Sequence, residues 1–171
     1  MKPIFLLFIC LLVLPSCTPS ESHSGLLAES TFILVRHAEK ADNSEDPDLS
    51  AAGYERADRL AEMLSNFRFD AVYSTSLIRT QKTAAPVAAQ NGLPVQEYSH
   101  REFDTLIPGW LETHKGQTVF ITGHSNSTPT AANGLLGREH FSEKFDESDF
   151  GNILIITIPQ NGEPRLMHLR Y

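Results

Sequence analysis

An α/β fold is predicted, a three-layer sandwich with a mainly parallel central sheet flanked by helices and a C-terminal β-hairpin. Three observations lead there. Short apolar runs recur at "FILV", "DAVYS" and "TVFIT", of the kind that forms strands buried on both faces. Segments with helical spacing lie between them, and strands alternating with helices are the pattern of a parallel sheet. Near the end, "NILIITI" and "RLMHLR" flank Asn161-Gly162, a strong tight-turn signal.

Taken in order, the domain opens with "STFILVRH", a strand that runs into the polar loop "AEKADNSEDPD". "LSAAGYERADRLAEMLSNF" follows, with Ala51, Tyr54, Ala57, Leu60, Ala61 and Leu64 at helical spacing and Ser50 placed as N-cap. "DAVYST" is the second strand. "SLIRTQKTAAPVAAQNG" reads as a helix that Pro86 bends or breaks and that Asn91-Gly92 closes. "LPVQEY" is a third strand, and "FDTLIPGWLETHKG" a loop and short helix interrupted at Pro108-Gly109. Thr118 to Thr122 is the clearest strand, followed by a helix from about Thr128 to Leu136 and then the hairpin.

The first thirty residues read differently. "MKPIFLLFICLLVLPSC" carries one lysine and an apolar run from Ile4 to Leu14, too short to span a bilayer and fitting the core of an export signal. "LPSC" resembles the lipobox of bacterial lipoproteins, which implies cleavage before Cys17 and lipidation of that residue. Residues 1–16 are therefore expected to be a lipoprotein signal peptide, 17–30 a flexible Ser-rich tether, and 31–171 the folded domain. The expected location is extracytoplasmic, tethered to a bacterial membrane through Cys17. Thr18 is not aspartate, which by the same resemblance leans towards the periplasmic side of an outer membrane. Cys10 and Cys17 both lie in or beside the leader, leaving the domain no disulfide pair and no cysteine metal site.

Composition narrows the function. The 171 residues are 41% hydrophobic and 20% charged, an ordinary globular balance sufficient for one domain. A net charge of −7 provides no overall field for nucleic acid, so any bound anion needs a local cationic cluster. Ligands of open α/β sheets gather beyond the carboxyl ends of the strands. "LVRH" sets Arg36 and His37 at one such tip, and "ITGH" sets His124 at another. Arg79 falls just inside the helix after the second strand, where helix N-terminal amides also favour an anion. Two arginine forks, two imidazoles and a helix start make a socket for a tetrahedral dianion.

These segments resemble the histidine phosphatase superfamily, which includes the phosphoglycerate mutases. Its Arg-His-Gly-Glu opening appears as "RHAE", Arg36 to Glu39, with Asn43 seven residues after the arginine. "DLSAAGYERADRLAEML", "YSTSLIRTQKTA" and "VFITGHSN" are similar to its later segments, so the likeness covers about Phe32 to the C-terminus. The resemblance implies metal-independent phosphomonoester hydrolysis without a cofactor. His37 would be the nucleophile, Arg36, Asn43, Arg79 and His124 would hold the phosphoryl group, and a carboxylate after the third strand would act as acid. Glu102 is the favoured acid, with Asp104 and Glu39 as alternatives. Ala38 stands where the family has glycine, and only about 87 residues separate His37 from His124, too few for a large capping insertion. A short, open form with a small phosphorylated substrate is implied. Protein phosphohistidine phosphatase activity and a non-catalytic phosphate-binding lipoprotein are the other readings.

Further residues have plainer readings. His100 reads as a loop histidine, with the pocket rim as its other reading. His114 reads as a cation at a helix end, and "EKFDESD" at 143–149 as a solvated acidic face. Asp42, Glu45, Asp46 and Asp48 lack the glycine and glutamate of a calcium loop.

Overall fold

The computed structural model describes residues 29–171; the expected signal peptide, Cys17 and the tether up to residue 28 lie outside the described residues. Six strands form one sheet: β1 (Ser30–Arg36), β2 (Ala71–Ser74), β3 (Val95–Glu97), β4 (Thr118–Gly123), β5 (Asn152–Ile158) and β6 (Arg165–Arg170). Their order across the sheet is β3-β2-β4-β1-β5-β6. The first four in that order run parallel, while β5 pairs antiparallel with β1 and closes the hairpin with β6. Helices α1 (Ala51–Met63), α2 (Ile78–Asn91), α3 (Phe103–Thr113) and α4 (Ser127–Leu136) complete the element list.

Alternation along β1 divides the core. Ile33 and Val35 pack with Leu60, Val87 and Phe120 on the α1/α2 side. Phe32 and Leu34 pack with Trp110, Ile121 and Leu135 on the α3/α4 side. A strand covered on both faces has no polar side, so "FILV" shows a run instead of a polar-apolar alternation. Each such side chain contributes roughly 1.5–3 kcal/mol by leaving water.

The local signals act as expected at most ends. Ser50 Oγ accepts the Gly53 N–H at 3.1 Å, and Gly92 ends α2 with φ 64°. Pro86 sits inside α2 without ending it. The expected interruption at Pro108-Gly109 does not occur, and α3 is one helix from Phe103 to Thr113. Pro108 faces solvent while Ile107 and Trp110 on the opposite side are buried. That burial outweighs the single backbone hydrogen bond the proline removes.

The loop between β1 and α1 is held from several directions. Glu39 O accepts the Ser50 N–H at 2.9 Å, and Asp46 Oδ1 accepts the Ile78 N–H at 3.0 Å. Asp46 thereby caps α2, whose own N-cap, Leu77, has no side chain able to do so. Asp42 accepts from Ser44 N, and Asp48 from Leu49 N and the Tyr54 hydroxyl. Asp42, Asp46 and Asp48 are thus turn and cap formers.

Candidate active site

The parallel register sets Arg36 beside Gly123, so the next residues, His37 and His124, leave neighbouring strands side by side. The His37 N–H donates to Gly123 O at 2.9 Å, which carries the pairing one step past the strands. Their imidazole rings lie 5.5 Å apart, centroid to centroid. Gly123 is needed because a Cβ there would stand 2.9 Å from Ser127 Oγ and Thr128 Oγ1. That close approach lets Ser127 Oγ accept the His124 N–H at 2.8 Å and fixes the turn into α4.

His37 is 3% exposed, and its Nδ1 lies 2.7 Å from the Ala38 carbonyl. A carbonyl only accepts, so Nδ1 carries the proton and Nε2 presents a lone pair. Burial, followed by the charges of Arg36, Arg79 and Lys40, lowers its pKa to about 4 against the favourable Ala38 contact. His124 is lowered to about 3, by burial first and then by His37, Arg79 and His100. Both rings are neutral at pH 7. Thr75 Oγ1 holds His124 Nε2 at 3.1 Å and is itself 2.7 Å from Thr80 Oγ1.

A cavity of about 380 Å³ opens over this pair, with Arg36, His37, Arg79 and His124 among its lining. The two arginines differ in their contacts. Arg36 is 1% exposed and its Nη1 donates to the carbonyls of Asp146, Glu147 and Asp149 at 2.9, 2.9 and 3.1 Å. Its Nη2 donates to Glu147 Oε2 at 2.8 Å, and the guanidinium lies 4.3 Å from the Phe150 ring centre. Burial pulls the Arg36 pKa down, while Glu147, Asp149 and Asp146 support the charge. The sequence suggested a fork aimed at the anion; the fork instead grips the 146–149 backbone, and Nε is buried without a partner. In Arg79, Nε and Nη1 are buried without hydrogen-bond partners, and Nη1 is 3.5 Å from Asp46 Oδ1 as an ion pair. Buried guanidinium N–H groups without acceptors cost free energy that a tetrahedral oxyanion would recover.

Four of the expected site residues, Arg36, His37, Arg79 and His124, therefore meet at one cavity. The others do not. Asn43 is exposed on the β1–α1 loop, 3.4 Å from Lys40 Nζ. Glu102 and Asp104 are exposed at the start of α3 and are not among the cavity lining. Glu39 pairs with Arg56 at 2.7 and 2.9 Å; burial would raise its pKa, but the Arg56 hydrogen bonds hold it below the usual range. Cys17 lies outside the described residues.

The segment 143–149 is more than the solvated face expected. Glu147 also accepts from Ser125 Oγ at 2.8 Å and Lys144 Nζ at 3.0 Å, and Lys144 and Glu147 line the cavity. Nothing local in "EKFDESD" signals this, because its partner Arg36 is 111 residues away. His100 lines the cavity too, and its place just after β3 at the carboxyl edge was the available clue. His114 is no exposed helix-end cation: it is 6% exposed, with Nε2 3.0 Å from Tyr73 OH and Nδ1 2.7 Å from Gln117 Oε1.

Residues 32–104 match the model of the histidine phosphatase superfamily (branch 1). Fructose-2,6-bisphosphatase TIGAR of Xenopus tropicalis is 36% identical over 73 residues, which are 38% of this chain and 26% of that protein. Phosphoserine phosphatase 1 of Hydrogenobacter thermophilus is 43% identical over 71 residues, 37% of this chain and 34% of that protein. The matched stretch thus spans about a quarter to a third of these curated relatives. The solved structure of Bacillus stearothermophilus YhfR superposes with a TM-score of 0.66 at 16% identity, covering 80% of this chain and 95% of that one, and shows the shared fold. The likeness to the histidine phosphatase superfamily thus lies in residues 32–104, and four fifths of the chain share the fold of YhfR.

Proposed function

We propose that the protein is a phosphatase of the histidine phosphatase superfamily that hydrolyses phosphomonoesters through a phosphohistidine at His37, extracytoplasmic and tethered to a bacterial membrane by lipid on Cys17. The observation that carries the reading is the free Nε2 lone pair of a neutral, buried His37 lining one cavity with two arginines whose guanidinium N–H groups lack hydrogen-bond partners. A neutral imidazole with its other nitrogen fixed is a competent nucleophile. In-line attack forms the N–P bond as the P–O bond breaks, and charge on the phosphoryl oxygens is met by Arg79, Arg36 Nε and His124. Water then cleaves the N–P bond and releases inorganic phosphate. The relatives named for fructose-2,6-bisphosphate and phosphoserine support phosphate esters of alcohols as the substrate class. The short connection between the two site histidines supports an open site without a large cap, and the leader and "LPSC" pattern support the anchor.

One observation favours a second reading, phosphate binding without turnover: neither Glu102 nor Asp104 lines the cavity. Turnover separates the two. The full chain in detergent, with a metal chelator present, is expected to hydrolyse 4-nitrophenyl phosphate, and His37→Ala to lose at least about 1,000-fold. Tight phosphate binding by an inactive wild type would support the binder. Hydrolysis surviving in His37→Ala would remove His37 as nucleophile.

A further inference from the structure

Breaking an alcohol ester of phosphate leaves an alkoxide that needs a proton, and the carboxylates suggested by the sequence are not at the cavity. Glu147 is the one acidic residue in the described lining, and it is poorly suited to give a proton. Hydrogen bonds from Ser125 and Lys144, together with Arg36, hold its carboxyl below the usual range.

A second cleft, of about 550 Å³, adjoins the first between residues 75–77 and 97–101. Two residues line both spaces, Leu77 and His100, and His100 is the titratable one. Its ring lies 5.5 Å from that of His124, which in turn lies 5.5 Å from that of His37. The three imidazoles thus lead from the nucleophile outwards, and the last stands where the phosphate socket gives way to the outer cleft. In-line geometry sends the leaving oxygen away from His37, towards the cavity's outer side. Polar side chains line the cleft beyond: Thr75, Ser76 and Ser99 supply hydroxyls, and Glu97 and Arg101 charges.

We propose that His100 is the catalytic acid for the leaving group, and that the outer cleft receives the alcohol of an unactivated phosphate ester. The inference rests on phosphoryl transfer to His37. In the first half-reaction His37 Nε2 bonds to phosphorus, the P–O bond breaks, and the imidazolium of His100 passes its proton to the departing oxygen. In the second, neutral His100 takes a proton from the attacking water, the N–P bond breaks, and inorganic phosphate leaves with His37 neutral again. An imidazole serves both steps because it gives and takes protons readily.

The test compares two substrates on the full chain in detergent. Phosphoserine has a poor leaving group that needs an acid, whereas 4-nitrophenyl phosphate has one that departs without help. In His100→Ala and His100→Asn, kcat/KM for phosphoserine is expected to fall about 100-fold or more, and at least tenfold further than for 4-nitrophenyl phosphate. A folding or positioning defect would depress both substrates alike, so equal losses overturn the proposal. It is also overturned if phosphoserine turnover is unaffected, or if the selective loss appears in Glu102→Gln. Failure of the underlying reading has a different signature, namely 4-nitrophenyl phosphate hydrolysis that survives in His37→Ala.

Discussion

His37 and His124 are neutral because burial disfavours their charged forms and two arginines stand beside them. This has a consequence for stability. An unfolded histidine titrates near 6.5, whereas these two reach about 4 and about 3 in the folded protein. Below pH 6.5 the unfolded chain therefore takes up protons that the folded chain does not, and stability falls with pH. Between pH 7 and pH 5 the loss is about 2 kcal/mol for each ring. Urea unfolding at the two pH values should show this fall, and His124→Asn should show a smaller one. An equal fall in the variant would mean that His124 is not held neutral. At this scale the sequence was informative wherever one residue type has one use, as with the two histidines. It was not informative for Arg36, whose partners at 146–149 are distant in the chain and mostly backbone carbonyls, which leave no mark in a sequence.

Elements show a similar division between local and distant causes. The Ser50 cap and the Gly92 terminus were legible because their chemistry is complete within one turn of helix. The continuity of α3 was not, because the side chains that preserve it, Ile107 and Trp110, are buried within a core assembled from other elements. Asp46 is intermediate, an acidic loop residue whose cap role on α2 needs the fold. One helix position links element and site directly. Gly53 lies on the face of α1 that touches the loop after His37, and a Cβ there would overlap the Glu39 carbonyl oxygen. Gly53→Ala is expected to lower stability by about 1–3 kcal/mol despite alanine's better helix propensity. Thermal or denaturant midpoints check it, and a stabilised variant would show that the loop is not seated on α1 as described.

Across the whole molecule, the site follows from a sheet rule. Two parallel strands in register end together, so residues 87 positions apart become neighbours at the carboxyl edge. That juxtaposition was legible from "LVRH" and "ITGH" alone, since strand period and strand direction suffice to predict it. The closing wall was hidden, because the 143–149 segment meets the site through contacts with Arg36 more than a hundred residues away, next to where β5 pairs with β1. The result is a neutral histidine, the proposed nucleophile, in a cavity lined by Arg36, Lys40, Arg79 and Lys144. Its most direct test is chemical trapping. The full chain is mixed with 4-nitrophenyl phosphate, quenched in alkali within milliseconds, digested and mapped for an alkali-stable, acid-labile phosphoryl group. Phosphate on the His37 peptide, absent in His37→Ala, is the expected result. Phosphoryl label on any other residue, or turnover with no labelled histidine at any time, would contradict it.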